Sequence, residues 1–275
     1  MDKDVVVVIG VGGMGQAIAR RVGSGRKVLL ADFNENTLTA AADLLRGEGH
    51  DVVTRQVDVG DHGSVTALAD AAASLGRVTH VAHTAGLSPV QATTEAILRV
   101  DLLGVALVLE QFARVVAPGG AGVVIASMAG HLSAGLSAEQ EKALTTTPAQ
   151  ELLALPFLAP EAAGVPGLAY GLAKRANVLQ VQAAAAAWGQ RGARINSISP
   201  GVISTPMGQQ ELTGENGEQM RAMIGMSATK RVGTPDDIAA AAAFLLDAQA
   251  GFITGTDLLV DGGAVAAVRP FLTAG

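Results

Sequence analysis

Short β-branched runs that alternate with longer Ala- and Leu-rich segments of helical period limit this chain's fold more than any other feature. Residues 5–9, 27–31, 51–57, 77–82, 122–126, 194–198 and 257–260 read as strands. Most segments between them read as helices. A strand that is apolar on both faces belongs in a parallel sheet covered by helices on each side. Crossovers between parallel strands are right-handed, so the economical topology is a doubly wound α/β sheet of seven parallel strands. At 275 residues the chain suits a single domain, 1–275, that removes roughly 75% of its unfolded surface from water. No internal repeat or linker divides it.

One stretch breaks the rhythm. About forty residues separate the strand ending near Ser127 from the helix opening near Ala169, where loops of about 2–6 are usual. Ser137 with Gln140 fits a capping box, and Thr147-Pro148-x-Gln150 combines a cap, a proline at the first helical position and a second box. Leu152, Leu153, Leu155, Phe157 and Leu158 then form an apolar cluster. Residues 128–167 read as a helical insertion that covers substrate, with a plain surface elaboration as the alternative.

Charge and composition exclude several classes. A net charge of −6 without a basic run argues against nucleic-acid binding. With no cysteine, disulfides and thiolate metal sites are impossible. His80 and His83 make an H-x-x-H, but strand residues three apart face opposite ways, so no metal is expected. The chain opens Met1-Asp2-Lys3-Asp4 and enters an apolar run too short for a signal segment. No stretch is of membrane-spanning character. A cytoplasmic protein that contacts neither nucleic acid nor membrane is the expectation.

The first strand runs into Gly10-Val11-Gly12-Gly13-Met14-Gly15, followed by a helical segment. Gly10, Gly12 and Gly15 satisfy G-x-G-x-x-G in the strand–turn–helix setting that a dinucleotide needs. Glycines let the backbone approach a pyrophosphate, which rests on the amides at the helix N-terminus. The second strand ends at Asp32, followed by Phe33. A carboxylate there accepts ribose hydroxyls and repels a 2′-phosphate, and no Arg or Lys follows within the next dozen residues. NAD is therefore the expected cofactor. Asp58-Val59 at the end of the third strand faces the adenine end.

In Tyr170-Gly171-Leu172-Ala173-Lys174 the phenol and the ammonium share a helical face. A nearby ammonium and a positively charged nicotinamide both favour the phenolate, bringing Tyr170 towards working pH as an acid/base. Ser127 stands at the carboxyl end of the fifth strand, where ligands bind in such sheets. Pro200-Gly201-Val202-Ile203-Ser204-Thr205 follows the sixth strand and offers backbone groups and a hydroxyl to a carboxamide. His131, four residues after Ser127, reads first as a structural or exposed residue, with lining of the substrate cavity as the alternative.

In this order along the chain, these residues resemble the short-chain dehydrogenase/reductase family over essentially the whole length. Thr84-Ala85-Gly86 and Val260-Asp261-Gly262-Gly263 belong to the same likeness. It implies a Rossmann fold, Tyr170 as general acid/base, and Ser127 as partner of the substrate oxygen. It implies that Lys174 holds the ribose, and that Thr205 with the backbone of Pro200, Gly201, Val202 and Ile203 holds the nicotinamide. It also implies a homo-oligomer, a dimer or a tetramer, and the small-residue run Ala183–Ala187 suits such an interface. Within the family, the long insertion and the Ala-Ala-Trp-Gly run ending at Gly189 resemble bacterial 3α-hydroxysteroid dehydrogenase/carbonyl reductases.

Three departures stand out. The usual T-G-x-x-x-G-x-G turn is one residue shorter and lacks its threonine. The usual N-N-A-G reads His83-Thr84-Ala85-Gly86, so Thr84 must support the strand edge in place of an amide. The asparagine that positions a relay water is replaced by Asp101, which can only accept from that water or from Lys174. The leading expectation is NAD(H)-dependent interconversion of a secondary alcohol and a ketone on a hydrophobic, steroid- or terpene-like substrate. The alternatives are an NAD(H)-binding redox sensor without turnover and a 3-oxoacyl thioester reductase.

Overall fold

The computed structural model describes residues 3–133, 135–214 and 217–272. Met1, Asp2 and Ala134, the last within the expected insertion, lie outside the described residues. The strands are β1 (Asp4–Ile9), β2 (Lys27–Asp32), β3 (Asp51–Gln56), β4 (Arg77–His83), β5 (Val116–Ile125), β6 (Arg194–Pro200) and β7 (Asp257–Val260). They form one parallel sheet in the order β3-β2-β1-β4-β5-β6-β7. The strand order reverses between β1 and β4, which is where a doubly wound sheet opens its ligand crevice.

The central strands show why the chain adopts this sheet. Val5, Val6, Val7, Val8 and Ile9 of β1 are all fully buried. Alternate residues serve opposite faces. Val5, Val7 and Ile9 join one core with α3 (His62–Leu75), α4 (residues 94–115) and α5 (Pro166–Gln190). Val6 and Val8 join the other with α1 (Gly13–Val22), α2 (Glu35–Gly47) and α8 (Pro235–Leu246). Helix α4 spans residues 94–115 and carries a π-helical segment at Leu98–Leu103. The remaining helices are α6 (Pro206–Thr213), α7 (Gly217–Met226) and α9 (Ala264–Leu272).

The insertion builds a third core. Leu144, Leu152, Leu158 and Ala163 pack against Ile97, Leu98 and Leu102 of α4 and against Ala169, Ala173, Ala176 and Leu179 of α5. Burial of one such leucine stabilises by roughly 1.5–3 kcal/mol. This part of the apolar cluster is therefore taken up in fixing the insertion to the catalytic side of the domain.

The described structure corrects several local expectations. Ser137 and Gln140 do form a reciprocal capping box at the helix Ala138–Thr146. Thr147 instead closes that helix, and Pro148 precedes a 3-10 segment, Ala149–Ala154, with no side-chain cap. A proline in front of a short, tightly wound segment fixes the chain direction without a second box. Strand β3 ends at Gln56, so Asp58 lies in the turn beyond it. That turn is closed locally, with the Gly60 amide donating to Asp58 Oδ1 at 2.8 Å. Strand β5 starts at Val116 rather than at 122: Val116 pairs with Val78 and Ala121 with His80, so residues 117–120 of β5 bulge between two paired stretches.

Candidate active site

At the nucleotide end, Gly10 has φ +88, and a Cβ there would stand 2.4 Å from the Ala85 nitrogen. Only glycine can turn the chain here and let β1 and the residues after β4 meet. Thr84 Oγ1 donates to the Gly10 carbonyl at 2.5 Å and lies 3.3 Å from that of Ile9. Thr84 thus pins the glycine turn itself. We expect Thr84→Val to weaken nucleotide affinity with kcat nearly unchanged, because about 1–3 kcal/mol of pairing is lost at the turn. Calorimetric titration with NADH checks this, and an unaltered Kd would refute the role.

The turn leaves one face open for a ligand. A Cβ on Gly13 or Gly15 would meet Thr205 or the Gly10 carbonyl, whereas one on Gly12 would meet nothing within 4 Å. Gly12 caps α1 without a side chain, so the first amides of that helix, around Met14, carry the positive end of its dipole uncapped. Asp32 Oδ2 accepts from the Val11 amide at 2.8 Å and Oδ1 from the Asn34 amide at 2.9 Å. Two backbone bonds therefore fix this carboxylate at the rim of the turn. Phe33 beside it is 70% exposed. Asp58 pairs with Arg99 at 3.3 Å, next to the buried Val59. An open glycine backbone, an uncapped helix start and an anchored carboxylate fit a dinucleotide.

On the other side of the crevice, Pro200 accepts from the Met128 amide at 2.9 Å and Gly201 donates to Val260 at 3.0 Å. A Cβ on Gly201 would stand 2.7 Å from Asp261 Cα, so β6 and the turn after β7 pack backbone to backbone. Val202 and Ile203 are buried. Thr205 caps α6, its Oγ1 accepting from Gly208 at 3.1 Å. Its methyl group lies against Gly13. Thr205 thereby joins the two halves of the crevice.

At the chemical end, Lys174 Nζ lies 2.9 Å from Asp101 Oδ1 and 3.5 Å from the Ile125 carbonyl. Asp101 is fully buried and Lys174 is 3% exposed. The Leu87 amide donates to Asp101 Oδ2 at 3.0 Å. Gly86 makes room for this pair, since a Cβ there would stand 2.6 Å from Asp101 Oδ1. The π-helical segment that holds Asp101 is the kind of helix irregularity often found at functional sites. The Lys174 ammonium is 5.4 Å from the centroid of the Tyr170 ring. The Ser127 hydroxyl, which accepts from the Ala129 amide at 3.1 Å, also bears on the phenol and favours its charged form.

The electrostatics differ from the expectation. Burial pushes the Tyr170 phenol above its ordinary value; Lys174 opposes this, and Asp101 adds to the rise. Sequence reasoning had the ammonium lowering the phenol and allowed Asp101 to accept from it; Asp101 does so at contact distance, and burial outweighs the lowering that Lys174 still supplies. Burial pulls Lys174 down, yet Asp101 and Tyr170 together outweigh it and hold the ammonium above its usual range. Burial likewise raises Asp101 against the pull of Lys174.

Two features escaped sequence reasoning. Glu211 of α6 accepts from the buried Ser88 hydroxyl at 2.7 Å, and its charge also raises the Tyr170 phenol. The side chains of Gln91 and Gln210 join the same two elements. A lone carboxylate within the uncharged α6 was the available signal. His131 does not stay free to line the cavity: its Nε2 lies 2.7 Å from Asp257 Oδ2, while Ser197 and Ser199 donate to Oδ1 of the same carboxylate at 2.6 and 3.1 Å. That cluster ties the start of the insertion to β7.

Comparison with known proteins agrees with this architecture. Residues 3–138 match the family model described as short chain dehydrogenase, and residues 136–265 match the one described as enoyl-(acyl carrier protein) reductase. Short-chain dehydrogenase/reductase bsc3 of Alternaria brassicicola is 43% identical over 267 residues, covering 97% of this chain and 97% of its own. The 3-alpha-hydroxysteroid dehydrogenase/carbonyl reductase of Comamonas testosteroni is 30% identical over 248 residues, covering 84% of this chain and 93% of its own. A short-chain type dehydrogenase/reductase from Mycobacterium ulcerans shares the fold with a TM-score of 0.75 at 24% identity, over 97% of this chain and 91% of that one. Fold and site together define an oxidoreductase that takes a nicotinamide cofactor and acts on CH–OH groups. The chain belongs to the short-chain dehydrogenase/reductase family. Among the described residues, no helix is long and apolar enough to cross a membrane.

Proposed function

We propose that this protein interconverts a secondary alcohol and a ketone with NAD(H), using Tyr170 as general acid/base. The convergence of Tyr170, Ser127 and the buried Lys174–Asp101 pair at the carboxyl ends of β4 and β5 carries this reading. When bound, the nicotinamide accepts or supplies hydride at C4. Asp32, Gly12 and the start of α1 would hold its nucleotide end, and Thr205 with the backbone from Pro200 to Ile203 its nicotinamide end. In oxidation the alcohol O–H gives its proton to Tyr170 as the carbon loses hydride. Ser127 orients the substrate oxygen, and Lys174, held by Asp101, steadies the charge on the phenol.

NAD(H) is preferred over NADP(H) in this reading because the Asp32 carboxylate is fixed by two amides at the ribose position. Arg55, on the neighbouring strand, is in register with Ala31. Its side chain therefore projects from the opposite sheet face to Asp32. We expect NAD(H) to be favoured at least about tenfold in kcat/KM, or about 1.4 kcal/mol, and Asp32→Ser to erode that ratio. Absorbance of the reduced nicotinamide, followed with a panel of alcohols and ketones and both cofactors, checks this. A preference of the wild type for NADP(H) would overturn it.

The substrate in this reading is hydrophobic, steroid- or terpene-like. The 30% identity to a hydroxysteroid dehydrogenase/carbonyl reductase supports it, whereas Leu152 and Leu158, committed to packing, do not. Segments 128–167 and α6–α7 both belong to the cover of the site. A cytoplasmic homo-oligomer completes the proposal, supported by the exposed small-residue face at Ala183, Ala186 and Ala187.

A further inference from the structure

Past Ser127 the chain makes a single turn of helix, Ala129–Leu132. The turn is wound onto Ser127 itself. The Ala129 amide donates to Ser127 Oγ at 3.1 Å, and the Gly130 amide to the Ser127 carbonyl at 3.0 Å. With Oγ accepting from Ala129, the hydroxyl keeps its own proton for another acceptor. The setting of that hydroxyl therefore follows the placement of the turn. One turn of helix does not hold its shape unaided, so its outside attachments decide where Ser127 stands.

Three attachments hold it. At its start the Met128 amide donates to the Pro200 carbonyl at 2.9 Å. In its middle Gly130 lies against the backbone of α5, where a Cβ would stand 2.8 Å from the Lys174 carbonyl carbon and from the Arg175 nitrogen. At its end His131 Nε2 lies 2.7 Å from Asp257 Oδ2. His131 is the only polar side chain between Met128 and Leu132, so it alone can fasten the turn to the sheet by a directional side-chain bond. A carboxylate only accepts, so Nε2 carries the proton of this bond.

The sheet side is arranged to receive it. Asp257 opens β7 in register with Ser197 of β6. Ser197 and Ser199 share the sheet face of Ile195, on which α5 packs. Both serines donate to Asp257 Oδ1, at 2.6 and 3.1 Å, and leave Oδ2 to His131. They are fully buried, and the Asp257 side chain is 7% exposed. Apolar residues of similar volume would serve stability at least as well as a buried charged cluster. What the cluster adds is position: one fixed acceptor at the end of the turn.

We propose that His131 and Asp257 are positioning residues for the reaction, fixing the turn that sets the Ser127 hydroxyl against the substrate oxygen and the Tyr170 phenol. Ser197 and Ser199 hold the carboxylate for them. The inference rests on the proposed roles of Ser127 and Tyr170. The turn lies backbone to backbone on α5 at Lys174, one helical turn from Tyr170. A shift of its His131 end therefore alters the spacing between hydroxyl and phenol directly. Reacting geometry is sensitive on this scale, since a misplacement of about 1 Å can cost about a hundredfold in rate.

Replacing His131 tests this. His131→Ala is expected to lower kcat for alcohol oxidation at least about tenfold. The alcohol KM and the Kd for NADH should not change, as for an interaction felt in the transition state. In a Ser127→Ala background the same substitution should cost less than about twofold, because residues that act through one group are not additive. An unchanged kcat in the single variant would overturn the proposal. So would a second loss of about tenfold in the Ser127→Ala background, which is what a general loss of packing gives. His131→Gln and His131→Asn decide the matter if the alanine variant does not fold. Glutamine places an amide N–H as many bonds from the backbone as Nε2 and should keep at least about half of the wild-type kcat; asparagine is one bond short and should behave like alanine. Equal rates for these two variants would overturn the role of the Asp257 bond. Ser127→Ala and Tyr170→Phe, measured alone, test the underlying reading. Full activity in either removes that residue's assignment and the inference with it, whereas a loss in both with an additive His131 removes the inference alone.

Discussion

Replacing Tyr170 with Phe is expected to lower kcat by about a thousandfold in both directions, within the range for loss of a general acid/base, while leaving NADH affinity in place. The substitution removes one oxygen from a ring packed beside Lys174 and Ser127 and leaves the glycine turn and Asp32 untouched. The wild-type pH profile follows from the raised phenol. Oxidation uses the phenolate, so its rate should climb as pH rises towards and above neutrality. Ketone reduction uses the protonated phenol and should be at full rate at neutral pH and below, falling only in alkali. Stopped-flow measurement of single turnovers checks both statements. A Phe variant that retains more than about a tenth of wild-type kcat is incompatible with the mechanism.

Asp101 carries the largest expected effect on stability. Asp101→Leu leaves the Lys174 ammonium buried with its ion-pair partner gone, and breaking a buried pair from one side costs about 3–5 kcal/mol. For a domain of this size that corresponds to about a 10 °C fall in Tm. Asp101→Asn keeps the shape and should cost less, and its kinetic signature is different. The Asp101 charge raises the phenol and offsets Lys174, so removing it should lower the Tyr170 pKa and move the rise of the oxidation rate to lower pH. Calorimetry on the Leu variant and a pH–rate profile on the Asn variant read the two effects separately. If the Asn profile coincides with that of the wild type, Asp101 has no electrostatic part in the reaction.

Much of the fold was legible because parallel strands buried on both faces leave a plain signature. The valines of β1 and the run at β2 could hardly be anything else once a glycine turn followed the first and a carboxylate ended the second. The order of Ser127, Tyr170, Lys174 and Pro200-Gly201 likewise placed all of them at one end of a sheet. What could not be read was set by contacts between distant residues. That Asp101 could accept from Lys174 was legible, but the contact distance depends on Gly86 leaving space for it, and no local pattern encodes that approach. The leucines of the insertion have the composition of a substrate wall, but only the packing shows Leu152 and Leu158 turned onto α4 and α5. His131 stood near Ser127 in the sequence, and Asp257, from the far end of the chain, takes it up. Thr147-Pro148 looked like a helix start because a cap before a proline reads the same whether an α-helix or a 3-10 turn follows.

The contacts of α6 bear on how such an enzyme changes over evolutionary time. Glu211 and Gln210 fasten this helix to Ser88 and Gln91, outside the glycine turn and the Tyr170–Lys174 helix. In the proposed reading, where α6 belongs to the cover of the site, substitutions on its face away from these contacts reshape what the crevice admits without disturbing hydride or proton chemistry. Selection can explore new substrates on one helix while the reaction centre stays fixed.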